Sequence, residues 1–119
     1  MALGLSRGAL GDLVTEIERR FEDEMMRLYE EPKRRFGYNA TYFLQMIQEH
    51  GALEAARRLA REPRHHEGLT RLWQHNALEL SVEATVRRAP WRQLFDDEIL
   101  RAAKRKLEDL HYAGPELED

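Results

Sequence analysis

The residues best equipped for chemistry cluster in Pro63–His75, PRHHEGLTRLWQH, where His65, His66 and His75 sit near Glu67. Zinc asks for three or four N, S or O ligands converging on a tetrahedron. His65, His66 and Glu67 are consecutive, so they do not aim at one point without a contorted loop, and His75 lies a helix away. The chain has no HExxH, no histidine pair four apart and no cysteine. The stretch therefore reads as a polar loop entering a short helix, with no metal or cofactor assigned. A phosphate-contacting role for Arg64, His65, His66 and Arg71 stays open.

Acid–base chemistry finds little more. Glu79 and Glu83 are four apart, but Ser81 between them is an expected helix break. A general acid–base pair needs convergence in a cleft and shifted pKa values. Asp96, Asp97 and Glu98 fit a helix cap and first-turn charges. His50 falls on an apolar helix face beside Met46 and Ile47 and reads as a structural histidine. His111 near the end of the last helix complements its dipole. No P-loop, nucleophile elbow or Rossmann glycine run occurs. No catalytic residue is assigned, and a metal-dependent or acid–base enzyme ranks last of three readings.

Arginine outnumbers lysine sixteen to three, which favours forked contacts to phosphate or carboxylate. Basic clusters recur at Lys33–Arg35, at Arg57, Arg58, Arg61 and Arg64, at Arg87, Arg88 and Arg92, and at Arg101, Lys104, Arg105 and Lys106. Arg57, Arg58, Arg61, Arg64, Arg71, Arg101, Lys104 and Arg105 are the candidate surface for nucleic acid or another anion. FLQMIQEHGALEAARRLA resembles the opening of a helix-turn-helix. The next helix would present Arg71, Gln74, His75 and Asn76, but REPRHHEG is longer than the usual tight turn. Net charge is −3, divided as −4 over residues 1–31, +6 over 32–106 and −5 over 107–119. That division fits either intramolecular pairing or a basic face for nucleic acid.

The elements that must position these groups are helical. Leu10, Leu13, Val14, Ile17, Phe21, Met25, Leu28 and Tyr29 recur at steps of three and four, predicting a long helix over 9–31 ended by Pro32 and Gly37. Leu13, Ile17, Phe21 and Leu28 are the candidate helix–helix interface, within the chain or between copies. Asn39 is read as the N-cap of a helix that Gly51 closes; ALEAARRLARE restarts at once and Pro63 ends it. Leu69, Leu72 and Trp73 anchor the short helix that follows. Ser81 and Asp96 are read as N-caps of two more, with ALELSV the one place for a short extended segment. The expected core is Phe21, Leu28, Phe43, Met46, Ile47, Leu53, Leu59, Leu72, Trp73, Leu94, Ile99 and Leu107.

Segments FEDEMMRLYEE (21–31), GYNATYFLQMIQEHGALEAARRLA (37–60), GLTRLWQHNALELSVEATV (68–86) and LFDDEILRAAKRKLEDLHY (94–112) together resemble a family of small uncharacterised bacterial proteins. The resemblance covers most of the chain in one order. It implies an all-helical fold and brings no activity, cofactor or catalytic residue. The family pattern carries Arg where this chain has Tyr42, which removes one positive charge.

The reading is an all-α fold: a compact single-domain bundle of about five or six helices with a long N-terminal helix. Residues 1–8 are expected to be a flexible N-terminus, 9–112 the helical domain and 113–119 a disordered acidic tail. The start lacks a basic n-region, so no signal peptide is read, no membrane span is expected, and the cytoplasm is the default. The favoured function is a small accessory module that binds a partner protein or forms a homodimer through its first helix. The alternative is a nucleic-acid-binding protein with a helix-turn-helix-like segment.

Overall fold

Apolar residues at helical spacing draw a long first helix across the others in a computed structural model describing the backbone of residues 2–119 and the side chains of 16–119. Helix α1 (Ala2–Phe36) buries Phe21, Met25, Leu28 and Pro32. It packs on α2 (Thr41–Arg61), which is followed by α3 (Glu67–Gln74), α4 (Val82–Val86) and α5 (Asp97–Asp109). Short 3-10 turns lie at Leu78–Leu80, Trp91–Leu94 and Pro115–Leu117, and no strand occurs among the described residues. The fold is all-α. No described helix is long and apolar enough to cross a membrane. The expectations for residues 1–8 and for Leu13 fall outside the described side chains.

Several boundaries differ from the sequence reading for physical reasons. Helix α1 does not stop at Pro32. A proline inside a helix removes a hydrogen bond and costs about 3 kcal/mol, but this ring is fully buried, which offsets part of that cost. The helix closes at Gly37, whose φ of 71° allows its N–H to reach the Lys33 carbonyl at 3.0 Å. Asn39 is not a cap. Its Oδ1 accepts from the Tyr29 hydroxyl, fastening the connection back onto α1, and α2 follows Ala40 with no side-chain cap. The ALEL stretch is not extended but turns as a 3-10 helix that buries Leu78 and Leu80.

Gly51 divides α2 where the sequence placed a left-handed residue, at φ 79° and ψ 164°. This backbone region is essentially reserved for glycine, although a Cβ there would meet nothing within 4 Å. Gly51→Ala is therefore expected to cost about 1–3 kcal/mol through backbone strain alone. Urea unfolding at matched pH measures it.

The main core gathers around Phe21, whose ring centroid lies 5.6 Å from Trp91 and 5.4 Å from Phe95. Met46, Ala55, Ala56, Leu59, Val82, Val86, Ile99 and Ala103 complete it. A smaller cluster forms from Leu69, Leu72, Ala77, Leu78 and Leu80. Trp73, expected inside, is 49% exposed. Leu69 and Leu72 are three apart and face inward together; Trp73 lies one residue, about 100°, further round the eight-residue α3.

Candidate functional site

Two ionic assemblies stand out. The first is buried. Glu83, in the first turn of α4, is wholly inaccessible, and its Oε2 lies 2.9 Å from His66 Nε2 and 2.7 Å from Lys106 Nζ. Lys106 also donates to the carbonyls of Leu59 at 2.7 Å and Glu62 at 3.1 Å, so all three ammonium protons have acceptors. Those carbonyls sit at the C-terminus of α2, which has no intrahelical donors for them. His66 is the N-cap of α3, its Nδ1 accepting from the Leu69 N–H at 3.1 Å. One carboxylate thus ties the end of α2, the start of α3, the first turn of α4 and the last turn of α5.

A carboxylate beside a histidine invites comparison with a catalytic pair, but the ring has no free nitrogen. Nδ1 accepts, which places the proton on Nε2, and that proton points at Glu83. The arrangement orients helices and leaves no base facing a substrate. Among the described residues, no group of three or more His, Cys, Asp or Glu is placed to hold a metal ion.

Burial opposes ionisation of Glu83, yet His66 and Lys106 outweigh it and lower its pKa below the ordinary carboxylate value of 4.5. The folded state therefore binds the proton more weakly than the unfolded chain does. The resulting stability is fully present above pH about 4.5 and is lost as pH falls below it. An acid titration followed by circular dichroism is expected to show unfolding that begins below that pH. In Glu83→Gln this component of the acid dependence should vanish.

The second assembly joins the C-terminal segment to α5 and the end of α4. The segment read as a disordered tail, 113–119, instead forms the turn at Pro115–Leu117. Arg87, whose side chain is 1% exposed, donates to the carbonyls of Glu116, Leu100 and Glu118 and to Asp119 Oδ1 at 2.8 Å. Arg92 donates to the Glu118 carbonyl at 3.0 Å and lies 3.4 Å from Asp119 Oδ1; Lys104 reaches Oδ2 at 2.7 Å. Hydrogen bonds from Lys104 and Arg87 hold the Asp119 carboxyl well below the usual carboxylate range. Glu116 pairs with Arg88 at 3.2 Å and accepts from the Tyr112 hydroxyl at 2.8 Å. Burial and that bond push the Tyr112 phenol up to about 12. A Cβ at Gly114 would occupy the space of Tyr112 Oη and Glu116 Oε1, so those two side chains would have to move and their bond would be disturbed. A buried arginine needs acceptors, and the tail is ordered because it supplies them.

Six of the candidate basic residues divide between two grooves. Arg58, Arg61 and Arg64 line an open groove with His65, His66 and Tyr42. Arg57 is not on that wall, and Arg57, Arg58 and Arg61 share one counter-ion, Glu54, at 3.6, 3.0 and 3.8 Å. Arg71 lies over the Tyr38 ring at 4.8 Å, and His75 stacks on Phe36 at 4.4 Å. Two of the four side chains proposed to read bases are thus engaged with the chain's own aromatics. Arg101, Lys104 and Arg105 line a second groove with Arg87 and Arg92. Of the candidate helix–helix residues, Phe21 and Leu28 lie in the domain's own core, whereas Ile17 is half-buried.

Sequence reasoning missed Glu83, Lys106 and Asp119 as site residues and saw Arg87 only as one of a basic run. The charge division did signal the tail contact, since pairing of the acidic end with the basic middle was one of its two readings. Nothing in local pattern marks Glu83 or Lys106 as buried. Comparisons with family models, curated proteins and solved structures find no match.

Proposed function

We propose that this chain is a non-catalytic interaction module that docks an acidic peptide segment of a partner protein in the clamp of Arg87, Arg92 and Lys104. The supporting observation is that the clamp already holds a peptide in this way. Residues 116–119 give it two backbone carbonyls and one carboxylate, and they cover an arginine that is otherwise buried. Carbonyl contacts orient a peptide and the carboxylate contact selects acidity. The resident segment competes with any partner, so the module is gated by its own tail. The bacterial family resemblance and a cytoplasmic setting belong to this proposal and add no chemistry to it.

Nucleic-acid binding has less support, because the basic residues are split between two grooves and several share Glu54. Self-association through the first helix has one observation in its favour: the stripe that buries Phe21 and Leu28 continues in sequence through the half-buried Ile17 to Leu13 and Leu10.

Calorimetry tests the docking reading. A peptide of sequence AGPELED should bind the full-length Gly114→Ala variant, whose tail is loosened, more tightly than the unaltered chain. Its affinity should fall as salt rises. Absence of binding to either protein at low salt sinks the reading. Low-salt binding of a DNA or RNA oligonucleotide that needs Arg58, Arg61 and Arg64 would favour the alternative.

A further inference from the structure

The charge and geometry of the clamp go beyond what an acidic residue requires. Arg87, Arg92 and Lys104 converge on the one side-chain carboxylate of Asp119, three cations on a singly charged group. The rim cations Arg101 and Arg105 are matched in number by Asp97 and Glu108. The two oxygens of that carboxylate are unequally shared. Lys104 takes Oδ2, while Arg87 and Arg92 must share Oδ1, and Arg92 is held off at 3.4 Å. Asp119 is 70% exposed, which leaves room for a larger group.

We propose that the group this clamp is built to receive is a phosphorylated serine or threonine within an acidic segment of a partner protein, for which Asp119 is the weaker stand-in held in cis. This rests on the docking reading above. A phosphoryl group carries about −1.5 to −2 charge and three terminal oxygens, one for each cation. The carbonyls of Glu116 and Glu118 bonded to Arg87 and Arg92 show that the site also grips peptide backbone. That requirement favours a phosphopeptide over a free anion or a nucleic-acid backbone. Competition points the same way. A tethered tail acts at an effective concentration on the order of millimolar, so an identical segment in trans loses to it. A winning partner needs an added interaction, and a second negative charge facing the three cations supplies one.

Fluorescence anisotropy with labelled heptapeptides tests this on full-length Gly114→Ala. One probe is AGPELED; the other replaces its last residue with phosphoserine. The phosphopeptide is expected to bind about tenfold more tightly, and Lys104→Met and Arg92→Met should each narrow that ratio at least about threefold. Both substitutions fall on partly exposed side chains, so thermal melts should show the variants folded. Equal affinity for the two probes overturns the phosphoresidue while leaving the docking reading intact. Failure of both probes to bind overturns the two together. Inorganic phosphate or a single-stranded oligonucleotide that competes as well as the phosphopeptide, at equal phosphate concentration, would also overturn it, because peptide backbone would then add nothing.

Discussion

Glu83→Gln should be the most damaging conservative change in the chain, lowering unfolding stability by roughly 3–5 kcal/mol. Glutamine keeps the shape of the side chain and removes only its charge. Lys106, 4% exposed, then remains an ammonium ion in the interior without a counter-charge. Taking two charges out of water is costly enough that such a pair adds little net stability, yet breaking it strands the survivor. The damage should spread to the end of α2 and the start of α3, because Lys106 bonds the Leu59 and Glu62 carbonyls and His66 caps α3. Urea unfolding of Glu83→Gln, Lys106→Met and the double variant measures this. The double variant should lose less than the sum of the singles, as expected for groups in direct contact. Additive losses would contradict the coupling.

Arg87→Met should have the next largest effect, on the order of 2–3 kcal/mol, as hydrogen bonds to a charged group are lost from a buried position. Two readouts separate its roles. Global stability should fall because the Leu100 carbonyl on α5 loses its bond to α4's end. Protease sensitivity of 113–119 should rise as well, because the Glu116 and Glu118 carbonyls lose their donor. Asp119→Asn should do mainly the second, since its side chain is 70% exposed and the amide oxygen of asparagine still accepts from Arg87. A variant of Arg87 whose tail stays protected would contradict the clamp.

Much of the fold was legible because it follows from periodicity and capping. Ser81 and Asp96 accept from the Ala84 and Ile99 N–H groups as N-caps do, and Gly51 has the positive φ expected of it, with ψ extended rather than that of a left-handed cap. Asn39 and Pro32 went differently because tertiary contacts overrode local preference. One found a tyrosine partner and the other a buried slot. The site was less legible for a similar reason. Periodicity places Lys106 beside Leu107 on α5 but cannot foresee that three acceptors await its ammonium. The adjacent histidines looked alike in sequence, yet His66 caps a helix against Glu83 while His65 stands 3.8 Å from Asp109 at the surface. Sequence spacing said nothing of the pairing of His66 with the carboxylate seventeen residues on.

The docking claim is tested most directly by nuclear magnetic resonance of the isotope-labelled full-length protein titrated with unlabelled AGPELED peptide. Peptide should displace the tail once it exceeds the tail's effective concentration, on the order of millimolar. The amides of Leu117, Glu118 and Asp119 should then move to free-chain positions, while the Arg87 Nε–H signal stays in its hydrogen-bonded position because the peptide replaces what the tail supplied. Tail amides that stay unmoved well above that concentration would contradict the account, as would a tail released with loss of the hydrogen-bonded Arg87 Nε–H signal.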